Sequence, residues 1–193
     1  MKPAGKIKVM FLVHTAIIGG GERSLIDILT YINKERFQPT LVCFENGPLV
    51  EWVREISGVE VVVIPFSDKV LKYNRDEKSI VRFLSIFSLF APMVKLFSFM
   101  YKSEAKIVYS NSMKAHFIGL VVGKLAFKKV IWHVRDIIDG GVNKRLFVAL
   151  SKFTDEIICI SKSVSSQFGK SEKIKIVYNG ILPLEEVTRS EGI

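Results

Sequence analysis

The sequence predicts an α/β fold built on a Rossmann-like, doubly wound parallel sheet. Short β-branched runs alternate with longer helical patterns along the chain, as they must where crossover helices join parallel strands. Several of the short runs, such as VMFLV at 9–13 and VVVI at 61–64, are apolar throughout. Strands covered on both faces read this way.

Taken in order, the expected strands are 7–13, 40–44, 59–65, 106–109, 130–134, 156–160 and 174–178. The first helix, expected over 21–33, places Leu25, Ile28, Leu29 and Ile32 at i, i+3, i+4 and i+7, one face of a 3.6-residue repeat. A second, over 48–57, begins after Asn46-Gly47 and stops before Gly58, where glycine ends helices readily. Further helices are expected over 113–127, 142–152 and 163–168. One domain is expected to span 1–181, with 182–193 (LPLEEVTRSEGI) a polar tail or the start of an interdomain linker.

The bulk properties narrow the function classes. An apolar fraction of 49% against 24% charged residues belongs to a globular chain with a sizeable core. The net charge of +9 favours anionic partners: phosphate-bearing substrates, an anionic membrane surface or, on charge alone, nucleic acid. Cys43 and Cys159 lie in apolar runs that read as buried strands, which suits a reducing, cytoplasmic setting. The opening MKPAGKIKVMFLV reads as a first strand, its apolar run being too short for a signal peptide. No Cys/His/Asp spacing suggests a metal, and no G-x-S-x-G elbow occurs. Neither a metal nor a cofactor is therefore expected.

Ligands of an open parallel sheet bind beyond the carboxyl ends of its strands, and four segments fall there. HTAIIGGGER follows the first strand. Its glycines allow close backbone approach and the helix behind offers free N–H groups, so a phosphate or sugar oxygens fit as well as a simple turn does. It lacks the Lys-Ser/Thr of a Walker loop, and Arg23 and Ser24 stand where a dinucleotide fingerprint needs its last glycine. Asn111 and Ser112, after the fourth strand, are candidates for capping the next helix or for bonding a sugar. His133, Arg135 and Asp136 cluster at the end of the fifth strand. Asn179-Gly180 closes the last strand as an ordinary turn signal.

In this order the segments GGGERSLIDIL, IVYSNSMKAHFIGL, VIWHVRD, FTDEIICISKSVSSQF and IVYNGI resemble the N-terminal domain of GT-B-fold glycosyltransferases, specifically the large retaining family 4. The resemblance implies one GT-B half-domain that holds the acceptor and one wall of the active-site cleft. The donor-binding half would follow the YNGI segment. Leu182 stands where the family often has Asp, a departure confined to the linker.

Carried over residue by residue, the resemblance puts Gly20 and Gly21 near a donor diphosphate or transferred sugar. It puts His133 beside that sugar as the catalytic hydrogen-bond partner, with Asn111, Ser112 and Arg135 as donor- or acceptor-binding residues. Arg135 could equally pair with Asp136 or Asp139, and Ser161 could cap a helix or touch ligand. The implied partners are a nucleotide-sugar donor shared with a C-terminal domain and a sugar or lipid-linked acceptor. Two other readings stand beside this one: a non-catalytic membrane-docking subunit of a split transferase, and a Rossmann-like nucleotide-binding protein of another class. A dehydrogenase of the latter kind needs an acidic residue ending strand two, for which Glu45 is the only candidate.

The run 80–102 (IVRFLSIFSLFAPMVKLFSFMYK) carries a narrow polar stripe on a broadly apolar surface. It is readable as a membrane span, a core helix or a helix in the plane of the membrane interface. The last reading makes the protein peripheral at an anionic surface. Pro92 is expected to kink or split the helix near Phe90.

Overall fold

β1 (Ile7–Val13) is an interior strand of the sheet and pairs in parallel with β2 (Phe37–Cys43) on one side and β4 (Ile107–Ser110) on the other. The computed structural model describes residues 5–66, 89–138 and 140–180. Beyond β2 lies β3 (Glu60–Val63). Beyond β4 follow β5 (Lys129–Val134), β6 (Glu156–Cys159) and β7 (Ile174–Ile176). The seven strands are parallel and stand in the order β3-β2-β1-β4-β5-β6-β7, the doubly wound arrangement that the alternating sequence pattern calls for.

The connecting helices separate onto two faces. Helix α1 (Gly20–Tyr31) and helix α2 (Pro48–Arg54) cover Phe11, Val13, Leu41 and Cys43 with Leu25, Leu29, Leu49 and Val53. On the other face α3 (Phe90–Lys102) and α4 (Met113–Leu125) bury Leu96, Met100, Ala115 and Val122 against Met10, Leu12, Val42 and Val108. That layer continues through α5 (Val142–Ser151) and α6 (Lys162–Ser165), where Phe147 stacks on Trp132 with ring centroids 4.8 Å apart. A 3-10 turn (Ser166–Phe168) extends α6. From the start of β7, Lys173 Nζ donates to the carbonyls of Ser151, Lys152 and Thr154 and so satisfies the end of α5.

Differences from the sequence reading sit at element ends. β2 begins at Phe37, three residues before the expected start, although Pro39 has no N–H to give. The missing donor is tolerated because pairing with β3 starts only at Thr40. β7 stops at Ile176, where its partner β6 ends in register at Cys159. The two thiols lie on β2 and β6, four strands apart, which at about 4.8 Å per strand is far beyond disulfide reach.

Of the apolar run 80–102, residues 80–88 lie outside the described residues, as do Asp139, Ile181 and the 182–193 tail. The described helix, α3, opens at Phe90 with Pro92 in its first turn, where a missing N–H costs no helical bond. Leu96 and Met100 are fully buried, whereas Phe90, Val94 and Tyr101 are exposed. One face is therefore a core face and the other is apolar toward solvent. Among the described residues no helix is long and apolar enough to cross a membrane.

Helix α4 packs closely because of two glycines one turn apart. A Cβ added at Gly119 would stand 2.8 Å from Leu12 Cδ1, and one at Gly123 would stand 2.8 Å from Val130 Cγ2. The helix ends in a Schellman motif, with Lys128 N donating to Gly123 O at 2.8 Å and Phe127 N to Lys124 O at 3.1 Å. Phe127 fills the position that usually holds glycine, at φ 57° and 89% exposed. Val130 is β-branched and fully buried, so it cannot yield to a new methyl group at position 123. Gly123→Ala should therefore destabilise the fold despite its gain of about 1 kcal/mol in helix propensity, since overpacking costs roughly 1–3 kcal/mol. Urea unfolding midpoints test this, with Gly140→Ala, where nothing lies within 4 Å, as the neutral control.

Candidate functional site

Between β1 and β4 the chain changes its direction of winding: α1 leaves β1 toward one face and α4 leaves β4 toward the other. A crevice opens at such a switch point. It is bordered by residues 14–19 after β1 and by Asn111 and Ser112 after β4. Gly19 is the N-cap of α1, and its N–H donates to Glu22 Oε2 at 3.1 Å, so Glu22 supports the helix start as its charge suggests. Gly20 is exposed at the rim. A Cβ at Gly21 would meet Arg135 Cδ at 3.4 Å, so this glycine lets the guanidinium lie along the helix start.

Arg135 organises what surrounds it. Its Nε and Nη2 donate to Asn111 Oδ1 at 3.2 and 3.1 Å, and its Nη1 donates to Asn179 Oδ1 at 3.0 Å. Asn111 in turn donates from Nδ2 to the carbonyl of Gly21 at 3.1 Å, and Ser24 Oγ donates to Asn179 Oδ1 at 3.3 Å. Burial lowers the pKa of Arg135, while Tyr109, Glu22 and Asp136 raise it; the group stays charged. Among the described residues no carboxylate forms a salt bridge with it, Asp136 included. The cation is held by neutral amides.

His133 lies one layer beneath Arg135, 4% exposed. Its Nδ1 is 2.6 Å from Tyr109 Oη and 3.2 Å from Arg135 Nη2. A guanidinium can only donate, so Nδ1 accepts and the proton of the neutral ring sits on Nε2. That Nε2 is shielded from solvent and meets no partner among the described residues. Burial first, and Arg135 second, hold the imidazole at a pKa of about 3. Burial also pushes the Tyr109 phenol up.

Ser112 behaves differently from the capping residue its position suggests. It is the N-cap of α4, yet its side chain caps no N–H. Instead Ser112 Oγ accepts from His14 N at 3.1 Å and lies 2.7 Å from His14 Nδ1. Ser161, by contrast, does cap its helix, accepting from Val164 N at 3.1 Å. Glu45 Oε1 accepts from Thr15 Oγ1 and Ala16 N, which ties it to the β1 loop.

The sequence-predicted residues Gly21, Asn111, His133 and Arg135 thus meet in one network. Ser112 adjoins it through Asn111, and Gly20 flanks it. Tyr109 and Ser24 are not among the candidates that the sequence offers, and His14 and Asn179 enter only as members of the segments after β1 and β7. The local signal at Asn179 reads as a turn. His116 is a core residue, bonded to Ser110 Oγ through Nδ1 at 2.7 Å and stacked on Trp132. Among the described residues no three His, Cys, Asp or Glu side chains form a metal-ligand set.

Burial holds His116 and His133 each at about 3, against 6.5 for a free imidazole, so both are neutral in the native protein. Between pH 6.5 and 3 the unfolded chain binds the extra protons. Stability from these groups is complete above 6.5 and is lost as pH falls through that window. Each imidazole should contribute a slope of about 1.4 kcal/mol per pH unit. Urea unfolding between pH 7 and 4 checks this, and His116→Phe should remove one such share.

No protein-family profile matches the chain. Among curated proteins it is 21% identical over 190 residues to the UDP-Gal:alpha-D-GlcNAc-diphosphoundecaprenol alpha-1,3-galactosyltransferase of Escherichia coli, covering 91% of this chain and 45% of that protein. Among solved structures, HepE of Anabaena in complex with UDP and glucose superposes with a TM-score of 0.68 at 24% identity, covering 91% of this chain and 45% of that one. MurG of Acinetobacter baumannii gives 0.62 at 14% identity, covering 88% and 44%. The chain spans a little under half the length of each of these relatives. Its fold is that of one half of a GT-B glycosyltransferase.

Proposed function

We propose that this chain is the N-terminal, acceptor-side half of a nucleotide-sugar-dependent glycosyltransferase. The observation that carries the reading is Arg135: a partly buried guanidinium at the switch point, ringed by neutral amides and an imidazole and flanked by the glycine-rich start of α1. A partly buried cation with no salt bridge among the described residues suits an anionic or strongly polar ligand. The free N–H groups at the start of α1 favour the same kind of ligand. A donor's diphosphate and transferred sugar meet that description. In this reading Arg135, Asn111, Gly20 and Gly21 face the donor, and Ser112 faces the acceptor. His133 serves the reaction from directly behind Arg135, by fixing the guanidinium against the developing charge. Closure of the donor-binding half over the crevice would exclude water and so hydrolysis.

The chain by itself should bind nucleotide-sugars very weakly, because the nucleotide pocket belongs to the other half. Calorimetry that gave a micromolar dissociation constant for UDP-glucose would overturn this division of labour. Joined to its donor-binding half, the protein should transfer sugar. Arg135→Ala should lower kcat by about 10²–10³ with a much smaller change in folding midpoint, as loss of a transition-state contact does, and His133→Ala should lower kcat indirectly, through the guanidinium that it no longer positions. Transfer by the joined protein also separates this reading from that of a non-catalytic docking subunit.

A second feature supports a peripheral position at the cytoplasmic face of an anionic membrane, where a lipid-linked acceptor would be met. Phe90, Met93, Val94, Phe97, Val122 and Leu125 line an open apolar groove of about 350 Å³ between α3 and α4. Phe127 projects at the end of α4, 89% exposed, next in sequence to Lys128, whose Nζ donates to Ser103 O. A left-handed phenylalanine costs about 1–2 kcal/mol, a cost that exposure to water does not offset. Phe127→Gly should therefore raise the folding midpoint while weakening binding to anionic vesicles. Binding of the unaltered protein should fall with salt, since each basic residue near such a surface adds about 1 kcal/mol. Folded protein that ignores anionic vesicles at low salt would end the membrane reading.

A further inference from the structure

We propose that Asn179 is a positioning residue of the candidate site. It fixes the direction in which Arg135 offers its last free N–H to an anionic ligand oxygen and, being an amide, does so without neutralising the charge. The inference rests on the transferase reading and deepens it, by naming how the guanidinium meets the donor.

A guanidinium carries five N–H groups, one on Nε and two on each Nη. In Arg135 the Nε group and one from Nη2 go to Asn111 Oδ1, and the other from Nη2 goes to His133 Nδ1. One N–H of Nη1 goes to Asn179 Oδ1. The second N–H of Nη1 is the one left without an acceptor among the described residues. Asn179 therefore holds the same nitrogen that carries the free donor. Arg135 has its charge and a single N–H to offer, which suits one anionic oxygen. The paired grip on two oxygens that an unengaged guanidinium gives a phosphate is closed to it.

Asn179 takes this place through tertiary structure and not through its own turn. An asparagine in a turn commonly bonds the backbone two residues on. The Oδ1 of Asn179 instead accepts from Arg135 Nη1 at 3.0 Å and from Ser24 Oγ at 3.3 Å, 44 and 155 positions away in sequence. Since a guanidinium has no acceptor, the oxygen of the amide must face it. Asn179 lies just past β7, the strand at the edge of the sheet. Its side chain joins three separate pieces of chain: helix α1, the segment after β5 and the segment after β7. Ser24 keeps the amide oxygen against α1 while that oxygen holds the guanidinium.

An aspartate at the same position would accept the same two bonds, and carboxylates are the usual strong partners of arginine. Here Asn111 and Asn179 are both amides, and among the described residues no salt bridge reaches Arg135. Direction is supplied, and the charge is left for a ligand.

The test follows the Arg135 Nε–Hε resonance of the whole chain, labelled with 15N-arginine, while sodium pyrophosphate is added at constant ionic strength. The unaltered chain should respond. Asn179→Ala should raise the apparent dissociation constant about tenfold, in line with the loss of one hydrogen bond to a charged group. Asn179→Asp should abolish the response, while its urea midpoint stays at or above that of the unaltered chain, because the carboxylate keeps both bonds. If Asn179→Ala responds as the unaltered chain does, Asn179 positions nothing. If Asn179→Asp does so, the neutrality of the amide is immaterial. Either result overturns the proposal and leaves the transferase reading standing. A lost response together with a lower midpoint in Asn179→Asp marks a merely structural bridge and overturns the proposal too. If Arg135 of the unaltered chain ignores pyrophosphate, the proposal falls. Sugar transfer by the protein joined to its donor-binding half then decides whether the transferase reading falls with it.

Discussion

Everything at the candidate site depends on β1 pairing in parallel on both sides. Parallel neighbours need crossover connections, and crossovers are right-handed. A chain that adds strands first to one edge of β1 and then to the other must therefore send its helices to opposite faces. α1 and α4 do this, and the gap between their starts is the crevice. Neither residues 14–21 nor residues 111–112 make a site alone. They become one because β1 and β4 share a ladder, with Leu12 paired to Ser110 and Asn111 N donating to Leu12 O.

That geometry sets an electrostatic problem which the surrounding side chains solve. Arg135 follows β5 directly and reaches over β4 toward α1, where burial disfavours its charge. Four donated bonds from the guanidinium go to Asn111, Asn179 and His133. The solution leaves a residue of its own: the His133 proton is forced onto a buried Nε2. Unsatisfied buried donors are uncommon, and each asks for an explanation. Here the explanation is that His133 serves Arg135 with its other nitrogen.

The opposite end of α4 has a different economy. Gly119 and Gly123 bring the helix close to Leu12 and Val130, so the strand–helix spacing along α4 is set by the absence of side chains. Where the helix finishes, Phe127 takes on backbone strain and solvent exposure together. Strain persists where the surrounding structure over-determines it, and the Schellman bonds of Phe127 and Lys128 supply that restraint.

The sequence by itself determined the layers and the order of elements. Apolar runs of strand length and the 3.6-residue spacing of Leu25 and Leu29 are local properties, and burial on both faces of a sheet leaves a plain record of them. It also determined which short segments lie at the carboxyl edge, because connections after parallel strands must fall there. It could not decide what each polar residue does. Ser112 and Ser161 present the same local signal, a serine before a helix, and only one of them caps. Asn179 reads as half of a turn and is instead a ligand of a guanidinium 44 residues away in sequence. His133 reads as a rim residue and lies beneath one. Hydrogen-bond partners of this kind are set by which strands become neighbours, and that is decided by the tertiary structure, since a polar side chain bonds whatever folding brings within about 3 Å of it.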